Sequence, residues 1–417
     1  MLMKIIFRDI IENARKYFDS DEILLFIGAR QSGKTTILRA IQEELEQKGE
    51  KTFFLNLEDP DYLRLINQSP KNLLQIFTFD LKTKTTVFVD EIQYLNNPTN
   101  FLKYFYDEYC GKIRLIVSGS SAFYLDKKFK DSLVGRKYVF PVRTLSFREF
   151  LRFKNEDELL SVLPREFSSS NYLISKKISL SAKEKIRNLF CEFLLYGGYP
   201  RVVLAPLSDK LFILQEIVYS YIKKDIYDAG IKQDEIFYRL FKILASQTGN
   251  LVNMNELSNL LGVSRKAIEN YLYVMQKSFH IILIRPWYQN IRKELSKMPK
   301  VYFYDLGLRN FLANNFDSVL IRSDRGALLE NAVVRQLAER SGIIIEDKIK
   351  FWRYKTGAEV DIIFEEKMAF EVKFDANLFN KSKYRIFFEK YPEIKFNLVS
   401  FTQRDSNDFP FWEPWLL

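Results

Sequence analysis

The stretch that most constrains this chain is Leu24-Leu25-Phe26-Ile27-Gly28-Ala29-Arg30-Gln31-Ser32-Gly33-Lys34-Thr35-Thr36. A short apolar run ends in Gly28, Gly33-Lys34-Thr35 follows, and a helical pattern opens at Ile37-Leu38. Strand, loop and helix in that order are the context a Walker A phosphate loop requires. Glycine lets the backbone curl until successive N–H groups face one anion, and the helix N-terminus adds partial positive charge. Gly28, Gly33, Lys34, Thr35 and Thr36 are thus expected to cradle phosphate. Lys34 is placed for the β- and γ-phosphates, and the Thr35 hydroxyl for Mg2+.

A second constellation follows. Thr85-Thr86-Val87-Phe88-Val89 is an apolar strand pattern ending in Asp90-Glu91, with Phe79 and Leu81 on its approach. An acid at the C-terminal end of a buried parallel strand points into the crevice where ligands bind. Asp90 suits a Walker B role, holding hydrated Mg2+, and Glu91 suits the base that polarises the attacking water. Strand patterns at 23–27, Thr52 to Leu57 and Ile113 to Val117 alternate with helical ones, the first over 4–20. They imply a parallel sheet covered on both faces. The expected cofactors are ATP and Mg2+.

These motifs resemble a known family. Gly28 to Thr36, Val89-Asp90-Glu91-Ile92-Gln93, Ser118-Gly119-Ser120-Ser121, Val134-Gly135-Arg136 and Leu145-Ser146-Phe147-Arg148-Glu149-Phe150 occur in that order. The chain is similar to archaeal and bacterial AAA+ ATPases that carry a C-terminal domain with a restriction-nuclease-like core. The resemblance implies a sensor 1 role for Ser120 on the γ-phosphate or the water. It makes Arg136 an arginine finger, acting in cis or on a neighbour's nucleotide; the second option implies a homo-oligomer. An always-charged guanidinium fork is what a dissociative phosphoryl transfer needs. In related signalling and origin-recognition ATPases a Gly-x-Pro of the lid packs on the nucleotide. Gly198-Tyr199-Pro200 has that spacing, and Arg201 would be the sensor 2 residue.

Residues 151–180 are polar and irregular and read as a loop or tethered insertion. Helical patterns resume near Ala182 and break at Gly197-Gly198. Asn253 to Leu261, a Gly262 turn, and a helix from Arg265 capped by Ser264 make a helix-turn-helix pattern. His280 to Arg285 is expected to be a wing strand. Residues 264–300 hold eight Lys/Arg and two Asp/Glu, a net +6 within a chain whose formal charge is +10. A basic face on the second helix is the footprint of phosphate contact. Arg265, Lys266, Asn270, Lys277 and Arg285 are the expected DNA contacts, without a base code.

The C-terminal part carries another pattern. Glu330 sits in a helical stretch, Asp361 points inward from a strand at 359–364, and Glu371 and Lys373 share one face of the next strand. Together they resemble the PD-(D/E)xK nuclease signature, in which Glu330, Asp361 and Glu371 would hold a metal ion and Lys373 would serve the water. A surviving binding core without cleavage has the same pattern.

The expected fold is α/β: an AAA+ P-loop parallel sheet (1–150), a helical lid (151–230), a winged helix-turn-helix (231–290) and a nuclease-like α/β domain (291–417). The lone histidine, His280, excludes multi-His metal chemistry, and two cysteines in unrelated contexts, Cys110 and Cys191, exclude a disulfide framework. No signal-peptide or membrane-spanning pattern is present, so a cytoplasmic protein is expected. ATP-driven DNA processing or remodelling on duplex or branched DNA is the expected function. The alternatives are a nucleotide switch that docks proteins and an ATP-regulated Mg2+-dependent nuclease.

Overall fold

The apolar runs become parallel strands because a strand covered on both faces gains from apolar side chains at every position. The computed structural model describes residues 6–80, 82–120, 133–165, 167–226, 229–288, 290–342, 345, 348–355, 357–402 and 409–417, with backbone alone at 225, 291 and 293. Leu81, Ser121 and the start of the 4–20 stretch lie outside them. The chain divides into two units. One is Met1–Arg143 with Lys224–Gly230 and Lys277–Phe279; the other is Thr144–Lys223, Ile231–Gln276 and His280–Leu417.

The first unit runs α1 (Asp9–Arg15), β1 (Ile23–Ile27), α2 (Lys34–Gln47), β2 (Lys51–Asn56), α3 (Pro60–Gln68), α4 (Leu73–Ile76), β3 (Thr85–Asp90), α5 (Pro98–Tyr109), β4 (Ile113–Gly119) and β5 (Lys137–Pro141). The sheet order is β2-β3-β4-β1-β5, and every pairing is parallel. Strand β5 has no clear signal in the sequence. It is an edge strand, half-exposed along most of its length and ending in Pro141, so it lacks a continuous apolar run. Ile37, Leu38, Ile41 and Leu45 form the buried stripe of α2 and meet Leu24, Phe26, Phe88 and Ile116 of the sheet. Their spacing is that of one helix face. Each such side chain contributes about 1.5–3 kcal/mol of burial. This stripe fixes α2, and with it the loop that precedes it.

The second unit contains α6 (Phe147–Phe153), α7 (Asp157–Val162), α8 (Leu180–Tyr196), α9 (Pro200–Leu204), α10 (Leu207–Ser220), α11 (Asp234–Ser246), α12 (Met254–Leu261) and most of α13 (Arg265–Lys277). Then come β6 (Ile281–Pro286), α14 (Ile291–Ser296), β7 (Lys300–Phe303), α15 (Leu306–Leu312), α16 (Arg325–Arg340), β8 (Ile349–Arg353), β9 (Glu359–Phe364), β10 (Met368–Lys373), α17 (Arg385–Lys390), β11 (Lys395–Ser400) and β12 (Phe411–Trp412). Its mixed sheet has the order β12-β11-β10-β9-β8-β6-β7. Helix α16 packs on β7, β8, β9 and β10.

Two expectations change here. The 281–286 strand is no free wing: it pairs antiparallel with β7 and parallel with β8 inside the sheet. The near-continuous run Ile281-Ile282-Leu283-Ile284 explains this, since a wing would alternate apolar and polar residues. The described residues of 151–180, expected as a loop or tethered insertion, carry regular structure as well. They form α7 and a 3-10 segment at Asn171–Lys177, and Phe167 stacks 5.9 Å from Trp412.

The Leu-Ser-Phe-Arg-Glu-Phe motif has a local explanation. Ser146 Oγ accepts from Glu149 N at 3.0 Å while Ser146 N donates to Glu149 Oε2 at 3.0 Å, a reciprocal cap that starts α6. Phe147 and Phe150 then pack on Phe193. Gly197-Gly198 also has a packing role. Gly198 N donates to Asp305 Oδ2 at 2.8 Å, and Leu145 N donates to Gly198 O at 2.7 Å. A Cβ on Gly198 would stand 2.4 Å from Leu145 O. Among the described residues, no helix is long and apolar enough to cross a membrane. Gly198→Ala is expected to destabilise the second unit by at least the ~1–3 kcal/mol typical of overpacking, measured as a lowered urea midpoint.

Candidate functional site

The phosphate loop leaves β1 at Gly28, where a side chain is excluded because a Cβ would lie 1.9 Å from Val142 O. Gln31 and Gly33 both take left-handed backbone, with φ of 60° and 97°. That turns the chain tightly before α2 begins at Lys34. Ser32 Oγ donates to Ala29 O at 2.8 Å and closes the turn. Arg8, buried before α1, donates to Ser32 O at 2.9 Å and to Arg143 O at 2.8 Å, tying the loop to both flanks of the unit. Lys34 is buried, with Nζ at 3.2 Å from Gly28 O and 3.1 Å from Ala29 O. Thr36 is exposed on the first turn of α2.

The strand ends complete the cluster. Thr35 Oγ1 donates to Asp90 Oδ2 at 2.7 Å. Ser118, at the end of β4, donates its hydroxyl to Asp90 Oδ1 and accepts from Glu91 N at 3.0 Å. Glu91 itself has left-handed backbone, φ 58°, a conformation that costs a non-glycine residue about 1–3 kcal/mol and clusters at functional sites. Gln93 donates to the Glu91 carboxylate and accepts from Ser120 N at 3.1 Å. The Ser120 side chain is buried, and its Oγ has no hydrogen-bond partner among the described residues. A hydroxyl beside a carboxylate is an oxygen pair suited to Mg2+, which prefers oxygen ligands. Thr35 and Asp90 would hold the ion, and it would supply charge neutralisation for phosphate.

Arg136 stands apart from this cluster. It pairs with Asp107 of α5 at 3.1 Å and precedes β5, whose first residue is in register with Ile23. The phosphate loop begins at the other end of β1, roughly 16 Å away at the ~3.3 Å rise per strand residue. Arg136 is therefore not gathered with Lys34, Asp90 and Glu91 at the strand ends. In the second unit, Pro200 opens α9, and Arg201 is exposed and paired with Glu216 at 2.7 Å.

The second unit gathers the other sequence-derived acids around its sheet. Glu330 of α16 accepts from Tyr302 OH at 2.5 Å and from Lys300 Nζ at 3.2 Å. Lys300 also reaches Glu359 Oε1 at 2.5 Å. Asp361 accepts from Val372 N at 2.9 Å, and Lys373 bonds Glu371 and lies 3.7 Å from Asp361. Lys300, Tyr302 and Glu359 were missed in the sequence. The signal was there, because Lys300 and Tyr302 share one face of β7 by period-two alternation.

Burial is the first cause of the electrostatics. It pushes Glu330 up to about 7, with the Asp361 charge adding to it and Lys300 opposing. It pushes Glu371 up to about 8, again with Asp361 adding and Lys373 opposing. For Lys373, burial works against the charge, but Asp361 and Glu371 outweigh it and raise the ammonium. Among the described residues, no three His, Cys, Asp or Glu side chains are grouped to hold a metal ion. The expected Mg2+ set of Glu330, Asp361 and Glu371 therefore does not fit as it stands: lysines and a tyrosine occupy the carboxylates.

The helix-turn-helix expectation falls on α12 and α13. Gly262 ends α12 at φ 66°, and Ser264 Oγ accepts from Ala267 N at 3.2 Å. Lys266 and Asn270 are exposed, and Arg265 is exposed and paired with Glu269 at 2.9 Å. Lys277, at the end of α13, is half-buried. Arg285 is not at a wing tip; it lies on β6 in the sheet and donates to Leu295 O at 3.2 Å.

The two raised carboxyls set a pH dependence. Their folded values exceed those of an unfolded chain, so the folded state binds the extra protons. Their stabilising contribution is full below about pH 4 and is lost as the pH rises through about 7 to 8. The second unit is expected to have a lower urea midpoint at pH 8.5 than at pH 5, on an absolute scale of ~1 kcal/mol or more, and Glu371→Gln to flatten that difference.

Residues 20–151 match the family model described as an AAA domain. Residues 187–319 and 325–409 match two domains of unknown function, DUF8612 and DUF4143. An uncharacterized protein of Methanocaldococcus jannaschii is 26% identical over 374 residues, 87% of this chain and 77% of that protein. One of Haemophilus influenzae is 28% identical over 307 residues, 70% of each. Among solved structures, the Walker-type ATPase of Pyrococcus abyssi is similar with a TM-score of 0.47 at 11% identity, over 73% of this chain and 95% of that one. The Thermotoga maritima RuvB Holliday junction branch migration motor has a TM-score of 0.34 at 16% identity, over 67% of this chain and 91% of that one. The AAA-domain match, together with the phosphate loop and the parallel five-stranded sheet, supports an AAA+ P-loop ATPase family for the first unit.

Proposed function

We propose that this protein hydrolyses ATP at the first unit and uses the nucleotide cycle to act on DNA bound by the second. The observation that carries the ATPase half is the convergence of Lys34, the Thr35–Asp90 pair and Glu91 at the C-terminal ends of β1 and β3. Lys34 leaves the Gly28 and Ala29 carbonyls to meet the β- and γ-phosphates. Glu91 orients a water and takes its proton as the water oxygen bonds the γ-phosphorus and the bond to the ADP oxygen breaks. The products are ADP and phosphate, and positioning supplies most of the acceleration. Ser120 meets the γ-phosphate or the water. Arg136 acts on a neighbour's nucleotide, which makes the working species a homo-oligomer. Gly198-Tyr199-Pro200 and Arg201 belong to the lid.

The DNA half rests on the exposed basic start of α13. Arg265, Lys266 and Asn270 form its proposed contact, with Lys277 at the far end of the same helix. Phosphate contact of this kind is independent of base sequence. Arg285 is not on that helix: it lies on β6, half-buried, and donates to Leu295 O. The nuclease-like region serves in this reading as a binding surface and not as a nuclease.

Glu91→Gln is expected to leave nucleotide binding intact while slowing turnover by about 10²–10⁴-fold, the usual worth of a catalytic base, measured as phosphate release beside nucleotide affinity. Arg265→Ala with Lys266→Ala is expected to weaken binding to duplex and four-way DNA alike. It should reduce the salt dependence of affinity by about two phosphate contacts, read from log Kd against log salt. Binding unchanged by that pair removes the DNA half.

A further inference from the structure

We propose that Gln93 is a positioning residue that couples the Glu91 base to the Ser120 segment, so that the base is set for attack only when the end of β4 is in place. The inference rests on Glu91 as the base. It adds a residue that neither the motif logic nor the phosphate loop assigns.

The geometry is specific. Gln93 is buried, two residues beyond Glu91, in a single 3-10 turn at Ile92–Tyr94. Its carboxamide has two different ends. Ser120 N–H donates at 3.1 Å to one end, which must therefore be the oxygen Oε1. The other end is then the NH2, and it donates to Glu91 Oε2. The orientation is thus fixed by a backbone donor and a carboxylate acceptor, and a flipped amide would fail both. One side chain spans the ends of β3 and β4 in this way. Ser118 makes a parallel tie between the same strand ends, through Asp90 Oδ1 and Glu91 N. Together the two ties hold Glu91 in left-handed backbone, φ 58°, which an unsupported glutamate would relax.

The chemical consequence concerns one carboxylate oxygen. Gln93 occupies Oε2, so Glu91 presents Oε1 to the water. The adjacent Ser120 hydroxyl is buried without a hydrogen-bond partner among the described residues, and an unmet buried hydroxyl is costly unless something meets it. A γ-phosphate oxygen or the attacking water satisfies that need. Any shift of Ser120 on meeting it passes through the Ser120 N–H bond to Gln93 and on to Glu91.

The test is steady-state ATP turnover with nucleotide affinity for wild type, Gln93→Ala, Gln93→Glu, Glu91→Gln and Glu91→Gln/Gln93→Ala. Gln93→Ala should lower kcat by about 10- to 100-fold, the worth of one hydrogen bond to a charged group, with KM for ATP unchanged. Gln93→Glu keeps an acceptor for Ser120 N–H but repels Glu91, and it should be at least as slow. The double variant should be no slower than Glu91→Gln alone, because Gln93 acts through Glu91. Wild-type kcat in Gln93→Ala, or wild-type kcat in Gln93→Glu, overturns the coupling. So does a double variant whose losses multiply. If Glu91→Gln itself turns over at the wild-type rate, the base assignment fails instead, and the two failures are told apart. A fall in nucleotide affinity in Gln93→Ala matching its fall in kcat also overturns the proposal, since it marks a general loss of structure.

Discussion

The hydrogen bond from Thr35 to Asp90 is the constraint on which the first unit turns. It joins the first turn of α2 to the end of β3, although β4 lies between β1 and β3 in the sheet. Only a parallel register that brings three strand ends to one edge allows it. That register is held by apolar strands and by the α2 stripe, so the core and the site are one problem. Gly28 must be glycine for the loop to pass Val142, and Ser118 must be short and polar to reach both Asp90 and the Glu91 amide. The crevice beyond the carboxyl ends of the strands is where an α/β sheet binds its ligand.

The second unit solves a different problem. It buries Asp361, Glu371 and Lys300 near its sheet, with Glu330 and Lys373 half-buried beside them, which is expensive for charged groups. The cost is offset by pairing each acid with a lysine, a tyrosine or a backbone amide. Such a cluster is weak evidence of stability, and removing one partner strands another. Its raised carboxyls follow from that burial. Among the described residues, the three acids that look like a metal set in the sequence are not grouped as one.

Much of this was legible in the sequence, for identifiable reasons. The phosphate loop, Asp90-Glu91 and the strands at β1 to β4 were readable because a buried parallel sheet demands continuous apolar runs and its loops demand glycine and acids. Strand β5 was not, because an edge strand needs no such run. The wing was misplaced because Ile281 to Ile284 can complete a sheet as well as a hairpin, and only pairing with Lys350 and Phe351 decides it. Arg136 was recognisable by motif, but its end of the strand was not, since β5 itself was unread. Gln93 stood beside the acids in plain view. Its role depends on Ser120, distant in sequence and adjacent only through the β3–β4 register.

ATP chemistry at the phosphate loop is what every other proposed role depends on. The most direct measurement is the ATP turnover of the purified chain beside that of Lys34→Ala, with Mg2+ present. Steady phosphate release by the wild type, lost in the variant while the urea transition of the first unit is retained, is the predicted result. Equal rates in the two proteins, or no turnover by the wild type alone or with DNA, would contradict it.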